Sequence, residues 1–391
     1  MVYFQWIAGT ILALAWVSRI VDAALGMPSV ADISRPEWDR TRVAPAGESR
    51  VTVIVAARNE EEHIRETLTR LLALEYSNYE IIAVNDRSTD RTGGLMDEIA
   101  ATSAAHQRLT VVHIQELPAG WLGKTHAMWT ASQRATGDWL LFTDADVLFK
   151  PDTLRRAIAY GEASRTDHVI LFPRMIMHNP GERMMMAFFQ TLFIFGHRIW
   201  KVADPKTRDY IGVGAFNLVR RSVYDAVGTY RALRMEILDD MKLGKIVKAA
   251  GFTQRGVFGE DLISLRWAKG AFGIVDNLTK NFFALLSFQW WRTLGSIFAV
   301  AFLNLGPFFG VCLAHGWARA PYAAALASIF MIYCGMSSLS VVRPYYFLLH
   351  PVSTSLFMYI LLRSMVHTLW NDGVIWRGTK YPLDQLRKGL V

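Results

Sequence analysis

The sequence predicts an α/β protein in which a doubly wound, mostly parallel sheet is flanked by membrane-spanning helices. Three observations lead there. Between Val51 and Trp267, short β-branched apolar runs alternate with helically spaced segments, the pattern of strands joined by right-handed crossovers. Polar clusters stand at the carboxyl ends of those runs, where open α/β sheets bind their ligands. Long apolar stretches occupy both ends of the chain, and 52 % of its 391 residues are hydrophobic, more than a purely soluble domain needs.

Val2 to Ile20 is almost uninterrupted apolar sequence, long enough to cross a bilayer. No basic residue precedes it, so it reads as an anchor rather than a cleaved leader. Arg19 sits at its inner end and Arg35, Arg40, Arg42 and Arg50 follow, and the positive-inside rule then puts the next domain in the cytoplasm. Residues 1–25 are expected as the anchor, 26–49 as a linker and 50–270 as the α/β domain. Within that domain Val51–Ala57, Tyr79–Val84, Leu109–Ile114 and Trp139–Thr143 read as strands, and Glu60–Leu74, Asp90–Ala104 and Thr125–Ala135 as helices. Met184–Trp200, crowded with Met and Phe, fits a core helix and an amphipathic helix resting on a membrane equally well.

The last third changes character. Phe282–Trp291, inside an expected interfacial segment 271–293, carries paired Trp beside Arg292. Leu294–Trp317, Tyr322–Val342 and Phe347–Trp370, within 294–371, are each about one bilayer long. Pro307 and Pro351 are of the kind membrane helices tolerate when neighbours satisfy the backbone. Three spans would leave the tail, 372–391, on the far side. Its Arg377, Lys380, Arg387 and Lys388 favour the near side instead, so one span is expected to be re-entrant or interfacial. The whole reads as a multi-pass protein of the cell (inner) membrane with its α/β domain in the cytoplasm.

The formal charge of +8 raises the question of nucleic acid, but Lys and Arg are scattered and no nucleic-acid motif is present. Anionic headgroups and an anionic substrate account for the excess. Cys312 and Cys334 lie in apolar segments without metal-ligand spacing.

Four clusters carry chemistry: Ala57-Arg58-Asn59-Glu60, Asn85 through Thr92, Thr143-Asp144-Ala145-Asp146, and Glu236 through Asp240. Residues two apart in an extended segment point the same way, so Asp144 and Asp146 can face one point. That suits Mg²⁺ or Mn²⁺, which take a few carboxylates plus substrate phosphates and clamp a diphosphate leaving group. Alone, Asp-x-Asp usually marks a solvated turn; its place after an apolar strand gives it weight. Asp86 ends a strand where ribose hydroxyls or a base edge would be gripped, while Ser88, Thr89 and Asp90 also read as a helix cap. Gly123-Lys124 opens a helix and can pair with phosphate. Asp239 and Asp240 begin the expected helix Met241–Ala250, either complementing its dipole or supplying a general base.

Together these clusters resemble glycosyltransferase family 2, of GT-A fold, over Val51 to Asn281. Leu117-Pro118-Ala119-Gly120-Trp121-Leu122-Gly123-Lys124 and Trp376-Arg377-Gly378-Thr379-Lys380-Tyr381-Pro382 are similar to segments of hopene-associated and carotenoid-acid glycosyltransferases. Ceramide glucosyltransferase is a more distant likeness. The resemblance implies inverting transfer of a single sugar from a nucleotide-diphosphate sugar, a UDP-sugar first, to a membrane lipid or isoprenoid, with Mg²⁺ or Mn²⁺. It gives Ala57, Asn59, Glu60 and Asp86 to the nucleoside, with Lys124 nearby. Asp144 and Asp146 become the metal motif, Asp144 also on the donor side and Asp146 the direct ligand. Asp240 becomes the base with Asp239 beside it, and Gly214, Phe216 and Asn217 line the acceptor side.

There are two departures. Asn85-Asp86 stands where the family has Asp-Asp, and the Gln/Arg-x-x-Arg-Trp motif is missing, with Ile263 ahead of Arg266-Trp267. Lys280 lies near the expected distance after Asp240 and would neutralise the diphosphate, as a point charge rather than a fork. The missing motif and few spans disfavour a polysaccharide synthase, while a polyprenyl-phosphate glycosyltransferase stays as the alternative. Retention of Asp146 and Asp240 disfavours a non-catalytic scaffold.

Overall fold

The computed structural model describes residues 2–39, 48–102, 107–337 and 342–391. Arg40, Arg42, the end of the expected helix at Ala104 and residues 338–341 of an expected span lie outside the described residues. The chain forms two compact units. One comprises Val30–Ile176, Ile199–Arg266 and Lys388–Val391, the other Met1–Ser29, Met177–Arg198 and Trp267–Arg387.

Among the described residues the first unit is built on ten strands: β1 (Val51–Ala57), β2 (Tyr79–Asp86), β3 (Leu109–Ile114), β4 (Trp139–Asp144), β5 (Leu148–Phe149), β6 (His168–Leu171), β7 (Arg174–Met175), β8 (Asn217–Arg220), β9 (Gln254–Val257) and β10 (Ile263–Leu265). Seven of them form one sheet in the order β3-β2-β1-β4-β8-β6-β9, and β5-β10-β7 form a small second sheet. In the large sheet β3, β2, β1 and β4 run parallel, whereas β8 is antiparallel to both β4 and β6. The order reverses at β1, which pairs with β2 on one edge and β4 on the other. A crevice opens at such a switch point, at the carboxyl ends of the strands. The register sets Ala56 beside Asp144 and Ala57 beside Asn85, so the polar clusters share that rim. Strand residues Val53, Ile54, Val55, Leu140 and Leu141 are fully buried, as expected for a sheet covered on both faces.

Among the described residues the second unit contains four helices long and apolar enough to cross a bilayer: Val2–Ser29, Trp290–Leu313, Gly316–Ser337 and Pro344–Trp370. Pro307 is buried inside the second of these. Helix Pro180–Gly196, which the sequence expectation had kept inside the α/β domain, belongs to this unit. Its Met185 and Phe188 are fully buried, and Phe188 packs on Phe357 and His350. It is a core helix of the apolar bundle. Its start is capped reciprocally: Asn179 accepts from the Glu182 backbone, and Glu182 accepts from the backbone of His178 and Gly270. Within the expected interfacial segment lie helices Gly270–Thr279 and Phe282–Leu285, and the exposed Trp290 and Trp291 follow. A hairpin, Gly373–Trp376 with Thr379–Pro382, closes the unit.

Candidate active site

Each polar cluster reaches the rim of the first unit for a local reason. β1 ends at Ala57, and Asn59 turns the chain with φ 55°, a left-handed geometry that Asn tolerates better than most residues. The loops after β1 and β2 are then stitched together. The Asn59 backbone donates to Ser88 Oγ (3.0 Å), Thr89 donates back to Asn59 Oδ1 (2.8 Å), and Glu60 and Glu61 donate to Thr92 and Asp90. Asn59 therefore spends its side-chain oxygen on the loop rather than turning it outward.

Asp86 is buried, and both its oxygens accept from the Arg87 guanidinium at 2.7 and 3.0 Å. Arg87 also has φ 55°. Gly123 permits this pair, because a Cβ there would run into Asp86 Oδ2 and Arg87 Nη2. Arg87 is a rim residue that the sequence reading did not single out; a bulky residue directly after the strand-end aspartate was the available signal. Asn85, the departure from Asp-Asp, faces the other way: Nδ2 meets His113 Nδ1 at 3.0 Å and Oδ1 accepts from Ser88.

The centre of the rim is a cluster of carboxylates around one lysine. Lys124, in the first turn of helix Gly123–Ser132, places Nζ 2.7 Å from Asp144 Oδ1 and 3.7 Å from Asp239 Oδ1. Burial lowers its pKa, but Asp144, Asp239 and Asp240 outweigh burial and hold the ammonium well above its ordinary value. Asp146 is pushed up to about 7 by burial and by the charges of Asp144 and Glu60. Asp239 is raised to about 7 by burial, against the pull of Lys124. Its Oδ2 is buried, and a side-chain hydrogen bond with Tyr230 works against that rise.

Asp239 and Asp240 both open helix Asp239–Ala249, yet they meet different surroundings. Successive helical residues project about 100° apart, so Asp239 turns inward while Asp240 stays half-buried at the rim. Asp240 Oδ1 accepts from the Met241 backbone at 2.7 Å. Its Oδ2 and Asp144 Oδ2 converge on Gly214: a Cβ there would lie 2.6 Å from Asp144 Oδ2 and 3.4 Å from Asp240 Oδ2. Burial raises the Asp240 pKa, a shift that Lys124 and the backbone N–H groups of Met241 and Gly214 oppose.

Gly214 rides on a braced loop. Ile211 exchanges hydrogen bonds with the Gln254 side chain in both directions at 2.9 Å. Gln254 also reaches His168 Nδ1 at 2.8 Å, His168 Nε2 meets Asn217 Oδ1 at 2.9 Å, and Asn217 Nδ2 donates to Val213 O at 2.8 Å. Burial drops the His168 pKa to about 4, so the ring is neutral and donates from Nε2. Phe216 is fully buried beside Phe149. The structure thus brings Ala57, Glu60, Asp86, Lys124, Asp144, Asp146, Asp239, Asp240 and Gly214 to one rim and puts Phe216 and Asn217 beneath it. Lys280 belongs to the second unit, where it lies over Trp376 and donates to Asn277 O.

Among the described residues, no three His, Cys, Asp or Glu side chains converge into a ready-made metal cage. The rim instead offers Asp144 and Asp146, whose mutual repulsion a divalent cation would relieve. That fits Mg²⁺ or Mn²⁺ held by two carboxylates and completed by substrate phosphate oxygens.

Residues 52–240 match the family described as Glycosyl transferase family 2. The chain carries a glycosyltransferase family 2 domain. Over 382 residues, 95 % of this glycosyltransferase and all of the relative, it is 20 % identical to 4,4'-diaponeurosporenoate glycosyltransferase of Staphylococcus aureus strain N315. Over 102 residues, 26 % of this chain and 23 % of the relative, it is 33 % identical to poly-beta-1,6-N-acetyl-D-glucosamine synthase of Staphylococcus aureus strain COL. Among solved structures it is similar to the mannosyltransferase PcManGT from Pyrobaculum calidifontis in complex with GDP-Man and Mn²⁺. That match has TM-score 0.55 at 20 % identity and covers 94 % of this chain and 99 % of that one. The fold of the glycosyltransferase is GT-A with four apolar helices.

Proposed function

We propose that this glycosyltransferase transfers one sugar, with inversion, from a nucleotide-diphosphate donor to a lipid or isoprenoid acceptor at a cell membrane. The observation that carries the reading is the convergence of Asp144 Oδ2 and Asp240 Oδ2 on Gly214 at the strand switch point. It sets a donor-side carboxylate and a candidate base on either side of one small gap.

Asp240 is the base in this reading. Its Oδ2 looks across Gly214 and its raised pKa suits proton acceptance, whereas Asp239 is buried and engaged with Lys124. The acceptor hydroxyl gives its proton to Asp240, and its oxygen attacks the anomeric carbon from the face opposite the diphosphate. The bond from that carbon to the phosphate oxygen then breaks. Lys124 meets the charge that develops on the leaving diphosphate. A divalent ion held by Asp146 and Asp144 would supply further neutralisation there. Asp86 with Arg87 presents a paired acceptor and donor to the nucleoside.

Support for an isoprenoid acceptor comes from the Staphylococcus aureus relative, whose name states transfer to diaponeurosporenoate and whose full length aligns. Support for Mn²⁺ comes from the complex of PcManGT. The four apolar helices favour an acceptor resident in the membrane, and the charge bias favours a cytoplasmic catalytic face.

Release of nucleoside diphosphate by the purified full-length protein tests the reading. UDP-, GDP- and dTDP-sugars are offered with host lipid extract, with and without EDTA. One donor is expected to be consumed in a metal-dependent reaction that yields a new glycolipid. Asp240→Asn should still bind that donor but lose transfer, and Asp146→Ala should lose transfer while remaining folded. Full turnover by Asp240→Asn would remove it as the base.

A further inference from the structure

Hydrogen bonds inside the second unit fix how deep each apolar helix reaches. At one end the Tyr322 hydroxyl donates to Gln5 O at 2.8 Å, and Gln5 Nε2 donates to Leu313 O at 3.4 Å. The start of the first helix, the end of Trp290–Leu313 and the start of Arg319–Ser337 are therefore level. Farther in, Trp16 Nε1 donates to Leu303 O at 2.8 Å. His350 sits at that inner level. Its Nε2 meets Asn304 Oδ1 at 3.1 Å, its Nδ1 meets the Tyr333 hydroxyl at 2.9 Å, and its ring stacks near Phe308. Counted along their helices from Leu313 and Tyr322, Asn304 and Tyr333 lie roughly 14–17 Å from the first end at ~1.5 Å per residue. Helix His350–Trp370 therefore begins about half a bilayer short of that end.

From there it runs toward the other end. Phe357 packs on Phe282 at 4.9 Å, Ser364 Oγ accepts from the Phe283 backbone at 2.9 Å, and Arg363 pairs with Asp276 at 2.5 Å, all just ahead of Trp290 in the chain. The helix thus runs in the same direction as Arg319–Ser337, so the chain between them must climb back. Pro344–Leu349 makes that climb: this 3-10 segment is about 12 Å long at 2.0 Å per residue. It carries Phe347 to within 5.4 Å of both Phe308 and Phe330.

We infer that Pro344–Trp370 is a re-entrant hairpin rather than a fourth crossing, so that the tail returns to the membrane face from which Trp290–Leu313 starts. Two independent features agree with it. Arg377, Lys380, Arg387 and Lys388 give the tail the charge of a near-side segment, and Arg387 donates to Phe288 O at 3.1 Å, beside the start of that helix. The turn is chemically tolerable at depth. His350 finds a partner for each ring nitrogen, and Pro351 takes a first-turn position whose N–H would be unpaired anyway. The outward stripe of the hairpin's helix, Val352, Tyr359, Leu362 and Val366, then meets acyl chains of one leaflet only.

Cysteine labelling decides it. In the full-length protein in intact cells, Cys312→Ser and Cys334→Ser remove the native thiols, and single cysteines replace Trp317 or Gln385, both exposed. A membrane-impermeant maleimide is added before or after permeabilisation. The two positions are expected to label from opposite faces. Labelling from the same face would mean a fourth crossing and would overturn the inference, as would labelling of Gln385→Cys from both faces. Should a cysteine variant fail to accumulate, a fluorescent protein and an alkaline phosphatase fused in turn to Val391 report the same sidedness. Only the fluorescent fusion should be active, and an active phosphatase would overturn the inference.

Discussion

Alanine at position 214 perturbs the gap between Asp144 and Asp240 first, because their carboxylates are the nearest atoms its Cβ would meet. The added Cβ would stand 2.6 Å from Asp144 Oδ2 and 3.4 Å from Asp240 Oδ2, and Gly214 has no left-handed φ to make alanine strained. Ordinary van der Waals contact begins close to the second distance. The Asp144 carboxylate must therefore retreat by about 0.8 Å while Asp240 hardly moves. A displacement of ~1 Å in a reacting constellation costs up to ~10²-fold in rate, or about 2.7 kcal/mol at ~1.36 kcal/mol per decade. Gly214→Ala is expected to lower kcat roughly 10- to 100-fold with Tm nearly unchanged, read by nucleoside diphosphate release and thermal unfolding of the same preparation. Two other glycines calibrate the result. Gly94 has nothing within 4 Å, so Gly94→Ala should keep full activity and gain about 0.4–1 kcal/mol of stability. Gly244 lies directly against the Ile211 carbonyl, so Gly244→Ala should damage folding itself. Full turnover by Gly214→Ala would refute the argument that the carboxylate spacing matters, and lost turnover with a collapsed Tm would mark the damage as structural.

Stability should depend on pH in a defined direction. Asp146 and Asp239 titrate near 7 when folded but near ~3.9 when unfolded. Between those values the folded chain binds more protons, so stability is greatest at the acid end and falls as pH rises. Without divalent ions, Tm should be higher near pH 5.5 than near pH 8, and Asp146→Asn should shrink the difference; a Tm that climbs through this window would sink the assignment. Lys124→Met leaves Asp144 and Asp239 facing each other without their shared cation. A fully buried pair broken this way costs ~3–5 kcal/mol, and the solvent reaching Asp144 reduces the expectation to about 2–3 kcal/mol, measured by denaturant unfolding. An unchanged unfolding midpoint would show that the pair contributes no stability. His350→Leu removes the partner that Asn304 Oδ1 and the Tyr333 hydroxyl share in the apolar bundle and should cost about 0.6–2 kcal/mol, read as a lower Tm in detergent.

Where burial and chemistry coincide in one short run, the sequence was enough. Val51–Ala57 and Leu109–Ile114 are strands over the expected residues, and Asp144 ends the strand expected just before it. The first helix of the α/β domain is expected from Glu60 but starts at Ile64, because the backbones of Glu60 and Glu61 donate across to Thr92 and Asp90 rather than along a helix. Asp90 likewise accepts from Thr92 and delays the next helix to Thr92. The four-residue strands β6, β8 and β9 escaped the reading, since apolar runs that short do not separate strand from helix. The different surroundings of Asp239 and Asp240 were invisible for a related reason. Adjacent residues have no separate signature until the loop carrying Gly214 is placed against their helix. The brace that runs from Gln254 through His168 to Asn217 joins residues far apart in sequence and leaves no local pattern at all.

The stitching between Asn59, Glu60 and Glu61 on one loop and Ser88 through Thr92 on the other has an entropic consequence. Fixing the backbone of one loop residue costs about 1–2 kcal/mol, and here that cost is met when the chain folds. An arriving nucleoside orders no loop, so its contacts go to affinity rather than to organising the protein. Hydrogen exchange in this rim should be slow before any donor is added and should change little afterwards.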